Sequence, residues 1–316
     1  MVSIRNKRIK GKDYLYAEHS FRLPNGNIKK ISKLVKRPSD IKNKEIADFF
    51  LRKEIEAYKK YACNFYKADR GLTQEKIAKI ESFRVEYKHL LKNPTKNQIS
   101  DIIDRFTVNF TYESNAIEGN SLTLKDVTLI LYENIAPKGK DLREVYETRN
   151  TRIANELLFN NKIRITIKDI LKLHSILIRD TGVSEGFKKL PNYLLMRNVA
   201  TTPPEKVEQE MKNLVGWYDH LKGNEHALKL SADFHGRFER IHPFEDGNGR
   251  VGRILINAIL LEAGYPPLII RKTVRSSYFA ALEAYDHGYS LSLERFLLGK
   301  LEDTFNKFFK VYVRYI

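Results

Sequence analysis

Residues 242–253 read His-Pro-Phe-Glu-Asp-Gly-Asn-Gly-Arg-Val-Gly-Arg and lie between two apolar segments with helical spacing. The first helical pattern ends near Ile241, and Pro243 prevents its continuation. Two glycines frame Asn248 just before the next helix, so several backbone N–H groups are expected to point into one small concavity. The stretch therefore predicts two helices joined by a tight loop that binds an anion.

The side chains of this loop suit chemistry on a phosphate. Arg250 and Arg253 lie three residues apart on the first turn of the predicted helix and project the same way, as a clamp for a polyphosphate. Asp246 is expected to hold Mg²⁺ against those phosphates, since magnesium takes one or two carboxylates plus phosphate oxygens. His242 supplies an imidazole suited to removing a proton from an attacking hydroxyl. Together these residues predict in-line attack on a phosphate.

Most of the chain around this loop has apolar residues at helical spacing. The predicted helices after residue 95 are 99–110, 123–132, 142–159, 166–178, 204–220, 228–241, 251–263, 276–285 and 292–315. The exception is 187–202, which predicts a short strand pair. The amphipathic C-terminal stretch 305–316 packs either on the core or on a second subunit, so a homodimer stays open.

The region before residue 95 has a different composition. Strand patterns flank Asn25-Gly26, a strong hairpin signal, and two helical patterns follow at 41–67 and 73–91. We therefore expect an N-terminal region, 1–94, made of a β-hairpin plus two helices, and a catalytic domain, 95–316.

The net charge of +17 is concentrated at the front of the chain. Residues 1–100 contain 25 Lys and Arg against 11 Asp and Glu, whereas 101–316 contain 31 against 28. Such asymmetry fits an acidic partner, namely nucleic acid, an anionic membrane surface or an acidic protein. A solvated basic surface explains it equally well, because no zinc-finger, ribonucleoprotein-type or convincing helix-turn-helix pattern is present.

The composition also bears on location. The longest strongly apolar stretch, 254–261, is far shorter than the roughly 20 residues that cross a bilayer. A single cysteine, Cys63, excludes an intramolecular disulfide. We therefore expect a cytoplasmic protein with no membrane span and no secretory signal.

The stretch 242–253 resembles the Fic-domain signature, His-Pro-Phe-x-Asp/Glu-Gly-Asn-Gly-Arg-x-x-Arg, at every fixed position, and the resemblance extends from about Asp104 to Phe309. It implies a mainly α fold, with a Fic-type helical core and a small β-hairpin flap. It also implies transfer of AMP from ATP to a Ser, Thr or Tyr hydroxyl of a target protein. By this resemblance the catalytic residues are His242 and Asn248, the Mg²⁺ ligand is Asp246, and the phosphate contacts are Gly247, Asn248, Gly249, Arg250 and Arg253.

Residues 114–120 resemble the inhibitory motif of the same family, Ser/Thr-x-x-x-Glu-Gly/Asn. Glu118 is expected to pair with Arg253, occupy the place of the γ-phosphate and leave ATP bound with its α-phosphate misdirected. In some relatives the same glutamate aligns a water that removes AMP, which adds de-AMPylation to the implied activities. The alternative is a carboxylate near a turn, with Gly119 merely ending a helix.

The strand pair at 187–202 resembles the Fic flap, which clamps target backbone by strand addition. By analogy the nucleotide-facing residues are Met196, Arg197, Asn198 and Val199 in the flap, and Tyr278 and Phe279 beside the adenine. Two residues depart from the family pattern. Lys188 replaces an arginine and loses its fork geometry, and Asp286 replaces an asparagine, so another nucleotide remains an alternative to ATP.

Two further readings compete with this one. The first is a nucleic-acid-binding regulator that uses residues 1–94 and retains the Fic fold as a nucleotide sensor. The second is a metallohydrolase set built from His174, His235, His242 and Asp246. The spacing of His235 and His242 lacks the i, i+4 pairing of helical metal sites, and the neighbouring arginines would repel a dication, so the sequence favours structural roles for His174 and His235.

Overall fold

The structure is a computed structural model that describes residues 2–92, 94–194 and 199–313. The chain divides into two compact units. The first unit contains the residues up to Asp69 together with Thr73–His89, and the second contains Arg70–Leu72 and the chain from Leu90 onward. Helices dominate the described residues, which confirms the prediction of a mainly α protein.

The first unit carries a three-stranded antiparallel sheet, where the sequence predicted only a two-stranded hairpin. The strands are β1 (Val2–Ile9), β2 (Lys12–Arg22) and β3 (Ile28–Val35), in that order across the sheet. Strand β1 was missed because its short apolar residues are interspersed with basic and polar ones. It pairs with β2 in a register that places Val2 opposite His19. The predicted turn at Gly26 joins β2 to β3, with φ of +85°.

Two helices complete this unit, α1 (Lys44–Phe65) and α2 (Gln74–Lys92). A buried carboxylate ties them to the sheet. Glu54 of α1 accepts hydrogen bonds from His19 of β2 at 3.2 Å and from Lys88 and His89 of α2 at 2.8 and 2.9 Å. Burial alone would raise the pKa of Glu54, but these hydrogen bonds hold it well below its usual range.

The second unit is built from ten α-helices in its described residues. They are α3 (Lys96–Ile117), α4 (Leu124–Thr128), α5 (Leu142–Phe159), α6 (Ile167–Leu177), α7 (Pro204–Leu221), α8 (Ala227–Ile241), α9 (Asn248–Glu262), α10 (Arg275–Asp286), α11 (Ser290–Thr304) and α12 (Lys310–Val313). Helix α9 is buried along nearly its whole length, and α5, α6 and α8 pack around it. This places the N-terminus of α9, and with it the loop 242–247, against several other helices.

Two of the predicted helices are interrupted by a π-helical turn. The turn Leu129–Glu133 ends the helix expected at 123–132, and the turn Phe305–Phe309 divides the one expected at 292–315, whose last residues lie outside the described ranges. The second turn buries Phe305 and Phe309, and the ring of Phe309 stacks on that of Phe106 at 5.8 Å. The C-terminal stretch therefore packs on the helical core of its own chain as far as Phe309.

None of the described helices is long and apolar enough to cross a membrane.

Candidate active site

The loop between α8 and α9 is closed by its own side chains. Helix α8 ends at Ile241 and is capped by His242, whose φ of +50° lies in the left-handed region, and Gly247, with φ of +84°, precedes α9. The Asn248 amide bonds both ways to Phe244: its oxygen accepts from the Phe244 N–H and its nitrogen donates to the Phe244 carbonyl, each at 2.9 Å. The side chain of Asn248 therefore holds the loop, which leaves its backbone N–H for an anion.

The buried ring of Phe244 anchors the loop in the core. The ring is fully buried and stacks on His174 at a centroid distance of 3.8 Å. Burial lowers the pKa of His174 to about 4, so the ring is neutral near pH 7, and its Nε2 lies 3.0 Å from the Asp246 carbonyl. His235 is likewise buried and bonds the Tyr278 hydroxyl at 2.6 Å. Within the described ranges no group of three or more His, Cys, Asp or Glu is arranged to hold a metal ion.

The N-terminus of α9 faces a carboxylate. Helix geometry leaves the first N–H groups of α9 without a carbonyl four residues back, and these donors attract negative charge. Glu118, at the end of α3, lies so close that a side chain at Gly249 would collide with its carboxylate. Glycine at 249 is therefore what allows an anion to approach the helix end.

Arg253 connects the same carboxylate to α3. Its guanidinium is buried and lies 2.7 Å from Glu118 Oε1, and it donates to the hydroxyl and the carbonyl of Ser114, both at 2.9 Å. Gly119 follows with φ of +104° and ends the helix. Glu118 thus caps the C-terminus of α3, and its carboxylate also pairs with Arg253.

The other predicted anion ligand, Arg250, belongs to a second network. It is buried, lies 3.1 Å from Glu147 Oε1 and contacts Asp246 Oδ2 at 3.3 Å. Arg143 contacts the same Asp246 oxygen at 2.5 Å. Arg143 and Glu147 were not predicted as site residues, because their only signal in the sequence is their i, i+4 spacing on α5.

The side chain of His242 stays partly exposed at the rim of this site. Its Nδ1 lies 3.8 Å from the buried carboxylate of Glu239, one turn earlier on α8. His242 and Asp246 both lie on the short loop that leads from α8 into α9.

The predicted strand pair is represented by a single antiparallel bridge between Tyr193 and Ala200. Three of the predicted nucleotide contacts, Met196, Arg197 and Asn198, lie outside the described residues, while Val199 is partly buried beside the bridge. Lys188, which replaces the arginine of the family pattern, has no salt-bridge partner among the described residues. Its ammonium is buried and donates to Asn192 at 2.6 Å, Thr201 at 3.0 Å and the Ile241 carbonyl at 3.4 Å.

The two aromatic residues predicted to contact adenine differ in exposure. Tyr278 is only 1% exposed and faces the core, where its hydroxyl bonds His235. Phe279 is partly exposed, with the guanidinium of Arg275 5.0 Å from its ring centre. A cavity of about 540 Å³ that the sequence did not indicate opens near the hairpin base, lined by residues that include Thr202, Arg237, Arg240 and Tyr285.

Several known proteins are similar to this chain over part of its length. Residues 164–260 match the Fic/DOC family. The Protein adenylyltransferase Fic of Nematostella vectensis is 32% identical over 203 residues, which cover 62% of this chain and 47% of that protein. The protein of the same name from Drosophila willistoni is 33% identical over 197 residues, covering 61% and 40%. The chain spans less than half the length of these relatives.

A solved structure is similar over about three quarters of this chain. It is a Fic domain containing signaling protein from Bacteroides thetaiotaomicron, with a TM-score of 0.67 at 26% identity, and the similarity covers 74% of this chain and 95% of that one. The helices around the loop 242–253 thus define a domain of the Fic type. Residues 164–260 of this chain therefore match the Fic/DOC family, and the resemblance predicted from the sequence is confirmed.

Proposed function

We propose that this chain is an autoinhibited protein adenylyltransferase, which transfers AMP from ATP to a Ser, Thr or Tyr hydroxyl of a protein, its own chain included. One observation carries the proposal: the N-terminus of α9 and the buried guanidinium of Arg253 form a single anion site, and the Glu118 carboxylate lies in it. The similarity to proteins named adenylyltransferases over about 61% of the chain supports AMP as the transferred group.

In the proposed reaction His242 removes the proton from the attacking hydroxyl. The hydroxyl oxygen forms a bond to the α-phosphorus, the bond from that phosphorus to the bridging oxygen breaks, and pyrophosphate leaves. The first N–H groups of α9 stabilise the charge on the α-phosphate, and Arg250 and Arg253 hold the outer phosphates.

Asp246 fits the magnesium position. Its carboxylate is 42% exposed beside the phosphate site, and one carboxylate with phosphate oxygens is the donor set that Mg²⁺ prefers. The ion, when bound with ATP, supplies neutralisation of the phosphate charge. The hydrogen bond between the Asp246 carbonyl and His174, together with the turn at Gly247, fixes the position of that carboxylate.

Inhibition follows from competition for one site. Glu118 occupies the place of the γ-phosphate, so ATP that binds beside it presents its α-phosphate in the wrong direction. A Glu118 that remains in place while an AMP-modified protein is bound would instead align a water for removal of AMP. The Glu118 carboxylate would then lower the rate of AMP transfer and be required for AMP removal.

Intact mass spectrometry of the Glu118→Gly variant tests this proposal. After incubation with Mg²⁺ and each of the four common nucleoside triphosphates in turn, we expect ATP to add the mass of one or more AMP groups. Addition of a phosphoryl group instead would show a kinase, and the mass of another nucleotide would correct the donor. No added mass with any triphosphate would contradict the proposal.

A second candidate function concerns the first unit. A groove of about 520 Å³ is lined by residues that include Lys29, Lys60, Tyr61 and Phe65. The two rings stack at a centroid distance of 5.3 Å, and neither lysine has an ion-pair partner in the part of the chain that the structure describes. Stacked aromatic rings beside unpaired lysines suit single-stranded nucleic acid, whose bases stack and whose phosphates pair.

Binding of a labelled single-stranded oligonucleotide to the full chain tests this candidate. We expect affinity to fall steeply with salt, and a Lys29→Ala/Lys60→Ala double variant to bind about tenfold more weakly. The matched control is Lys125→Ala/Lys138→Ala, which removes the same charge from the second unit. Equal binding by both double variants, or none by the parent, would reject the candidate.

A further inference from the structure

Asp246 is already engaged by protein groups on both carboxylate oxygens. Oδ1 accepts from the Gly247 N–H at 2.5 Å, and Oδ2 contacts Arg143 at 2.5 Å and Arg250 at 3.3 Å. Two guanidinium groups therefore surround the oxygen that a divalent cation would take. Arg143 comes from α5, more than a hundred residues earlier in the chain, and makes the shorter of the two contacts.

The two arginines are held very differently. Arg250 is almost fully buried, and Glu147 fixes its other end at 3.1 Å. The side chain of Arg143 is 47% exposed, and its Nε lies 3.4 Å from the same Glu147 carboxylate. Arg143 can therefore swing off Asp246 while keeping Glu147 as a partner, whereas Arg250 has no such freedom.

Electrostatic repulsion opposes metal binding at Asp246 while Arg143 contacts it. A cation at the Asp246 oxygen would stand within a few ångströms of the Arg143 guanidinium, and repulsion between like charges at that distance is strong outside bulk water. Nucleotide phosphates bring the negative charge that makes the exchange favourable, because their oxygens coordinate the metal and offset its repulsion from the guanidinium.

We propose that Arg143 is a positioning residue that occupies the metal carboxylate in the nucleotide-free protein and has to leave it when a divalent cation enters with the nucleotide. This inference rests on the proposed function, which assigns Asp246 to the metal. It predicts weak binding of divalent cations by the protein alone, and metal affinity limited by the displacement of Arg143 even when nucleotide is present.

Mn²⁺ binding to the full chain tests the inference without reference to activity. Free Mn²⁺ is measured by electron paramagnetic resonance during titration, with and without a non-hydrolysable ATP analogue, for the parent, Arg143→Gln, Asp246→Asn and Arg152→Gln. The last is a matched control, since Arg152 lies on the same helix and pairs with Glu156 at 3.0 Å. In the presence of the analogue we expect Arg143→Gln to bind Mn²⁺ about tenfold more tightly than the parent, and Arg152→Gln to match the parent.

The outcomes separate the inference from the proposed function. Equal affinity of Arg143→Gln and the parent, with Asp246→Asn impaired, would overturn the inference alone. Weaker binding by Arg143→Gln would also overturn it, because Arg143 would then serve as a nucleotide ligand and not as an occupant of the metal position. Unchanged Mn²⁺ binding by Asp246→Asn would show that Asp246 is not the metal ligand. Both the proposed function and this inference assume that it is.

Discussion

A His242→Ala variant is expected to transfer AMP at least about 100-fold more slowly than its parent, when both carry the Glu118→Gly substitution. The reason is that no other imidazole in the described residues combines exposure with this position: His174 is fully buried, neutral near pH 7 and bonded to the Asp246 carbonyl, and His235 is fully buried against Tyr278. Without the base, the attacking hydroxyl must lose its proton to water.

The measurement is the initial rate of self-labelling with radiolabelled ATP at saturating Mg²⁺. The matched control is His220→Ala, which removes an exposed histidine from the end of α7 and should leave the rate unchanged. Nucleotide affinity is measured in parallel and should change little, because His242 acts on the hydroxyl and not on the phosphates. A His242→Ala variant that labels as fast as its parent would show that the base lies elsewhere.

The Glu118→Gly substitution is expected to raise AMP transfer by roughly tenfold to a hundredfold. The carboxylate pairs with Arg253 at 2.7 Å and lies against Gly249 at the start of α9. A charge-assisted hydrogen bond contributes roughly 1.5–3 kcal/mol, which corresponds to a factor of that size when the bond holds the inactive state. The same variant should lose the ability to strip AMP from its own modified chain.

Two companion variants identify the cause of such an increase. Glu118→Gln keeps the side-chain volume but removes the charge, so it should activate nearly as well as Glu118→Gly if the ion pair matters. Glu156→Gln changes an exposed carboxylate on α5 and should have no effect. If Glu118→Gly labels no faster than the unmodified chain, the carboxylate has only its structural role at the end of α3.

Local chemistry explains what the sequence could predict of this site. The loop 242–253 is short, and the residues that shape it, Pro243, Gly247 and Asn248, act on neighbours within a few positions. The bounds of α5, predicted as 142–159, agree with the observed Leu142–Phe159 for the same reason, since helical spacing is also local.

Partners brought from distant parts of the chain could not be predicted in this way. Ser114 meets Arg253 across 139 positions, and Arg143 meets Asp246 across 103. The burial of Tyr278 also involves a long-range contact, since its hydroxyl bonds His235 of α8. Strand β1 and the two π-helical turns could not be predicted either, because long-range pairing and packing determine them more than local propensity does.

Glu118 and Arg253 belong to one compact unit of a single polypeptide. A carboxylate tethered so near its target has a high effective concentration, and dilution cannot lower it. Under the proposed autoinhibition, the inactive state of each molecule would be independent of protein concentration. If Glu118 inhibits the protein as proposed, an activating signal would have to reshape the end of α3, since a change in abundance would not release the carboxylate.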